Sequence, residues 1–208
     1  VNKVDNDGVE YENASLDGAV FELYDNEMNK IDDKVVDDKK IEFDNLSYGK
    51  YFVKEIVPGN GYTLNDELYE VDIDENNIEK EITIGNSIIK SEINILKYYG
   101  SMEDYKNNQM KKEKDVNFSI FDEKNNLVYQ GITNDEGMIN LSLSYGNYIV
   151  RQTSSTDGYK LSDDYKFSID SSSSHSIDIV LYDFKIDVPN AKIDLIKYFK
   201  HLIRIYFD

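Results

Sequence analysis

The sequence predicts an all-β protein built from two tandem small antiparallel β-sandwich modules, with a short C-terminal tail that has helical character. Three observations predict it. Short runs rich in Val, Ile, Phe and Tyr alternate apolar and polar residues at period two, clusters of turn residues separate those runs, and the whole pattern occurs twice.

The repeat sets the domain organisation. "FELYD" at 21–25 returns as "FSIFD" at 118–122, Gly49 as Gly146, "GYTL" at 61–64 as "GYKL" at 158–161, and Asn86 as Asp183, all at one offset of 97 residues. "YGKYFVKE" at 48–55 returns as "YGNYIVRQ" at 145–152, with its final carboxylate, Glu55, changed to the amide of Gln152. The modules are therefore expected at 1–90 and 91–187, with the tail at 188–208. A module of about 90 residues supports one small core of modest stability, so an additional staple is expected.

In the first copy the strands are read from "VNKVD", "AVFELYD" (19–25), "KIEFDNL" (40–46), "KYFVKEIV" (50–57), "YEVDID" (69–74) and "EKEITIGNSII" (79–89). "DNEMNK", "SYG", "PGNG" and "DENN" supply the turns. Strands this short, without long helical stretches between them, indicate a sandwich or barrel.

Composition narrows the function. The chain of 208 residues has no cysteine, so the staple is not a disulfide and no thiolate metal site exists. With two histidines, His175 and His201, neither zinc binding nor His-centred acid–base chemistry is expected. The 41 acidic residues against 23 basic ones give a net charge of −18, which disfavours nucleic acid and acidic membranes as partners. Asp5, Asn6 and Asp7 in "VDNDGVE" are hard oxygen ligands, but the remaining ligands of a Ca²⁺ loop are not at the required spacing, and a turn is the better reading. No metal or cofactor is expected. No Ser/His/Asp or Cys/His set can be assembled. No run is apolar for the ~18 residues a membrane span needs. The start, without Met or a signal peptide, suggests a fragment or mature product.

The residues carry a resemblance. "KVDNDGVEYENASLDGAVFELYD", "NLSYGKYFVKEIVPGNGYTL" and "ITIGN" resemble the Cna B-type or SpaA-type prealbumin-like domains of Gram-positive surface adhesins and pilins, an immunoglobulin-like sandwich. The family pattern has Lys-Val-Asp near the start and Leu-x-Gly-Ala-x-Phe-x-Leu-Tyr after it. Gly-x-Tyr-x-x-x-Glu, a Pro with Gly-Tyr, and a closing Asn follow. The first module matches nearly all of it, and the second matches more loosely.

The resemblance implies an isopeptide bond between Lys3 and Asn86, with Glu55 as the proton shuttle. The chemistry supports the set: desolvation pushes an amine toward its neutral, nucleophilic form and a carboxyl group toward its protonated form, which can polarise a carboxamide. In the second module the equivalents are Lys97, Gln152 and Asp183. A carboxamide cannot shuttle protons, so the expectation there is no cross-link, only a Lys97–Asp183 salt bridge beside Gln152. The alternative is a bond assisted by another carboxylate that the sequence does not place.

In the tail, "VPNA" keeps the Pro of a Leu-Pro-x-Thr-Gly sorting motif but has Ala191 and Lys192 in place of Thr and Gly. It reads as a degenerate sorting signal. Apolar residues at 193, 196, 199, 203 and 206–207 give the alternative, an amphipathic helix through which residues 192–208 touch a membrane surface. The resulting expectation is a stalk or pilin-like module on the outside of a bacterial cell, working beside neighbouring surface-protein domains. A module binding a host matrix protein or glycan through its 17 tyrosines is the alternative. An enzyme acting on an external substrate is the weakest reading.

Overall fold

A computed structural model describes residues 1–186. The expectations for the sorting signal, the membrane-facing helix and the rest of the tail lie outside the described residues.

The first module contains β1 (Asn2–Asp5), β2 (Val20–Tyr24), β3 (Lys30–Val35), β4 (Gly49–Val57), β5 (Leu68–Ile73) and β6 (Thr83–Asn86). Four of these form an antiparallel sheet in the order β3-β2-β4-β5, and β1 and β6 form a two-stranded pair. Alternation sets the inward face. Phe21 and Leu23 from β2, Tyr51 and Val53 from β4, and Ile84 from β6 are buried in one cluster with Ala19, Val36 and Ile41.

The second module contains β7 (Lys90–Gly100), α1 (Met102–Lys106), β8 (Lys111–Lys112), β9 (Asn117–Asp122), β10 (Leu127–Ile132), β11 (Met138–Ser144), β12 (Gly146–Gln152), β13 (Tyr159–Lys160), β14 (Tyr165–Ile169) and β15 (Ser176–Lys185). One sheet runs β10-β9-β12-β14 and repeats the β3-β2-β4-β5 order. The other runs β11-β7-β15-β13, with β8 added to β7. Ile93, Ile95, Phe118, Ile120, Val150, Ile169 and Ile179 fill its core.

Three features differ from the sequence reading. The stretch "KIEFDNL" forms no strand: Ile41 is buried and Phe43 and Leu46 pack on the core, but positive φ at Lys39 and Asn45 breaks the extended run. The strand is instead "KIDDKV", β3, whose acidic residues lie on an exposed edge and mask any apolar alternation. A helix also occurs, short and outside the core, where Ser101 caps α1 and Asp104 completes a capping box.

The sheets are antiparallel except where the two ends of a module meet. In each module the first strand pairs in parallel with the last, β1 with β6 and β7 with β15. Parallel neighbours cannot be joined by a tight hairpin, so this pairing brings residues far apart in sequence side by side.

Leu16, Tyr62 and Ile88 form a third buried cluster with Tyr11, Ala14 and Tyr145, the last contributed by the second module. The Tyr145 hydroxyl donates to Asn60 Oδ1 at 3.0 Å, and Lys124 pairs with Glu12.

Candidate functional site

The two parallel pairs share one register. Lys3 lies opposite Ile84, and Lys97 lies opposite Leu181. Side chains two apart on a strand share a face, so Lys3 shares its side of the pair with Asn86, and Lys97 shares its side with Asp183. The neighbouring sheet adds the third residue, because Phe21 faces Glu55 in the β2–β4 ladder as Phe118 faces Gln152 in the β9–β12 ladder. All six residues chosen from the sequence thus gather into two clusters of three.

In the first module Lys3, Glu55 and Asn86 are each 2% exposed or less. Lys3 Nζ contacts Asn86 Oδ1 and lies 3.1 Å from Glu55 Oε1. Asn86 Nδ2 donates to Glu55 Oε2 at 2.8 Å and to the Thr63 carbonyl at 2.8 Å. The backbone N–H of Asn65 donates to the same Oε2 at 2.9 Å. Glu55 Oε1 faces the lysine, its ion-pair partner, and has no further hydrogen-bond donor. The Phe21 ring lies under the ammonium, 5.4 Å from its centroid. Burial pushes the Lys3 ammonium below its ordinary range, and the Glu55 carboxylate pulls the other way without cancelling it. A nucleophile, an amide electrophile and a carboxyl group in contact with both are therefore enclosed together. That arrangement suits acyl transfer onto the lysine.

In the second module the same places hold Lys97, Gln152 and Asp183. Lys97 Nζ contacts Asp183 Oδ1 in a buried ion pair. Gln152 Nε2 donates to Asp183 Oδ2 at 2.6 Å and to the Ser154 carbonyl at 2.7 Å. Gln152 Oε1 accepts from the Ser162 N–H at 3.0 Å and the Ser162 hydroxyl at 2.6 Å. Burial pushes Lys97 below its ordinary range too, against Asp183 and a second carboxylate, Glu113.

Glu113 is the residue that reading the sequence missed. It is 1% exposed, and its Oε2 lies 3.8 Å from Lys97 Nζ. At the 97-residue offset Glu113 stands where the first module has Leu16 of its Leu-x-Gly-Ala-x-Phe run. Equivalent backbone bonds confirm the match, since Gly18 N–H donates to Val36 C=O as Asp115 N–H donates to Thr133 C=O.

Among the described residues no group of His, Cys, Asp and Glu is arranged to hold a metal ion. Asp5, from the "VDNDGVE" loop, accepts the Asp7 N–H at 2.7 Å, as in a turn.

The family model for the SpaA prealbumin-like fold domain matches residues 1–88 and again 100–183. The chain belongs to the SpaA prealbumin-like domain family. Solved structures of other proteins are similar over both modules. The Bacillus anthracis TIE protein is similar at a TM-score of 0.72 and 27% identity, over 88% of this chain and 33% of that one. The chain thus spans about a third of that relative's length. A C-terminal fragment of the pilus adhesin SpaC from Lactobacillus rhamnosus GG is similar at a TM-score of 0.57 and 10% identity, over 90% and 97% of the two chains. A longer SpaC structure is similar at 0.53 and 11%, over 89% of this chain and 31% of that one. At such identities the SpaC likeness is one of fold. No match is found among curated proteins.

Proposed function

We propose that these SpaA modules form a load-bearing stalk segment of a Gram-positive cell-surface protein, and that the first is clamped by a self-formed isopeptide bond between Lys3 and Asn86. The observation that carries this reading is the enclosure of Lys3 Nζ, the Asn86 carboxamide and Glu55 in one buried cluster between the first and last strands.

The neutral Lys3 amine attacks the Asn86 side-chain carbon. Glu55, hydrogen-bonded to the Asn86 nitrogen, takes the amine proton and gives it to that nitrogen, which leaves as ammonia. Holding the two groups together removes the entropy cost of a bimolecular encounter, an advantage of about 10⁵ to 10⁸ M in effective concentration. The site acts once, on itself, so the role is structural and no substrate is turned over. The product ties β1 to β6, so a pull on both ends of the module is borne by a covalent link between its terminal strands and not by β-ladder hydrogen bonds. The extracellular location rests on the family and on the fold shared with a pilus adhesin.

The test is an intact-mass measurement of the folded chain with sequencing of its proteolytic fragments. The expected result is a branched peptide joining Lys3 to Asn86 with one ammonia lost. A folded chain in which Lys3 and Asn86 are recovered as separate unmodified peptides would reject the clamp.

A second reading, glycan binding, is favoured by one surface. Tyr98 and Tyr182 stack with centroids 5.8 Å apart, and Tyr105 packs edge-on against both Tyr182 and Phe184. Such a row on the β7–β15 face offers rings on which sugar faces stack. Binding on a glycan array that is lost in Tyr182→Ala supports it, and an array without binding removes it.

A further inference from the structure

We propose that the β10 edge of the second module is a docking site for an extended, basic segment of a partner protein, which pairs with β10 and places a cationic side chain in the cleft beside it.

The first module supplies the contrast. β3 (Lys30–Val35) and β10 (Leu127–Ile132) are the same strand at the 97-residue offset, and each ends its four-stranded sheet. An edge strand presents unpaired backbone groups, and charge on it discourages pairing with another chain. β3 is protected in this way. Its Lys30 is paired with Glu22 and Asp33, and its Lys34 with Asp32. At the positions of Lys30, Asp32, Asp33 and Lys34, β10 has Leu127, Tyr129, Gln130 and Gly131. Every charge is gone from this edge, in a chain whose net charge is −18. Leu127, Val128 and Ile132 are exposed on it. The ladder skips Ile31 in β3 and Val128 in β10, so both edges carry the same bulge and differ in charge alone.

A cleft of about 420 Å³ opens beside the edge, lined by Val128 and Tyr129 of β10, Leu141 and Leu143 of β11, and Tyr11 and Tyr145. β11 is the edge of the other sheet and is uncharged as well. Glu12 and Asp122 also line the cleft, and among the described residues no base does. Lys124 pairs with Glu12. Asp122 has no ion-pair partner among the described residues, and it is held in place by the Asn126 N–H at 2.7 Å and the Asn126 side-chain amide at 2.8 Å. Tyr11 and Glu12 come from the first module, so the cleft needs both modules in place.

Electrostatics selects the occupant. A second copy of this chain brings the same large negative charge and is repelled, as is an acidic strand. A basic strand is attracted. Main-chain bonds along Tyr129–Ile132 would supply affinity, and the cleft would choose the side chain. Its tyrosines and Asp122 suit a lysine or arginine head group, by cation–π contact and ion pairing.

The experiment uses the folded full chain and a fluorescent peptide of alternating valine and threonine flanked by lysines. Fluorescence anisotropy reads binding, and hydrogen exchange reads the β10 amides. The lysine-flanked peptide is expected to bind and to slow exchange in β10. A version with a central proline should not bind, because proline cannot donate to the ladder. A glutamate-flanked version should bind more weakly. Leu127→Lys with Gln130→Lys, at two exposed positions, should abolish binding, and Asp122→Asn should weaken it; circular dichroism confirms that both fold. Failure of the lysine-flanked peptide to bind overturns the proposal, as does binding that survives Leu127→Lys with Gln130→Lys or leaves β10 exchange unchanged. Two further results overturn it by naming another occupant. One is a dimer of the free chain, seen by sedimentation and lost in the double variant. The other is a β10 edge already as slow to exchange in the free monomer as the central strand β12.

Discussion

Glu55 and Gln152 accept the same backbone hydrogen bond, from the residue ten positions on, and reverse the bond to the last strand. Asn65 N–H donates to Glu55 Oε2 and Ser162 N–H donates to Gln152 Oε1. The Asn86 amide donates to the Glu55 carboxylate, whereas the Gln152 amide donates to the Asp183 carboxylate. Carboxylate and amide have changed places between these two positions, so each of the two hydrogen-bonded pairs keeps one of each.

That equivalence makes Glu55→Gln an informative variant. The glutamine fits a site whose twin already holds one, so the first module should fold, retain its ammonia and lose the branched peptide. By analogy with a disulfide closing a loop of similar length, stability should fall by about 4 kcal/mol, read from urea unfolding. Retention of the cross-link in Glu55→Gln would remove Glu55 from the mechanism.

The uncross-linked variant also has a signed pH response. Lys3 is held below its ordinary value of 10.5 by burial, and removing Glu55 takes away the group that opposes that shift. Between the lowered value and 10.5 the unfolded chain binds more protons than the folded one, so stability should rise with pH across that window and level off above it. Urea midpoints of Glu55→Gln should climb accordingly. Those of Glu55→Gln with Lys3→Met should lack this component.

Two glycines separate strain from packing. Gly61 and Gly158 have φ of +88° and +85°. A Cβ on Gly61 would meet Ala14 Cβ at 2.7 Å and the Tyr145 ring at 2.8 Å, whereas one on Gly158 meets nothing within 4 Å. Gly158→Ala should cost roughly 1–2 kcal/mol, the left-handed penalty alone. Gly61→Ala should cost more and push apart the contact with Tyr145. Differential scanning calorimetry should then show the two modules melting separately.

The cores should respond alike. Phe21 and Phe118 are both 0% exposed and stand at repeat-equivalent places in the two cores. Phe118→Ala should cost about 3–5 kcal/mol in chemical unfolding. Phe21→Ala in the Glu55→Gln background should cost a similar amount.

The sequence by itself determined the repeat, the all-β class and the strands with one buried face, because alternation along a strand is a local record of which side meets the core. It also picked out the six residues of the two clusters, since the 97-residue offset and the family pattern placed each one. Only the tertiary structure decided what local pattern does not record. Exposed β3 carries acids where a buried strand would show apolar alternation, and "KIEFDNL" buries Ile41 without an extended backbone. Glu113 had the look of any charged residue in "KKEKD". It comes to face the buried Lys97 because β8 pairs with β7 and Glu113 N–H continues that pairing to the Lys97 carbonyl. Burial of a charge is a collective property, set by residues distant in sequence that close around it.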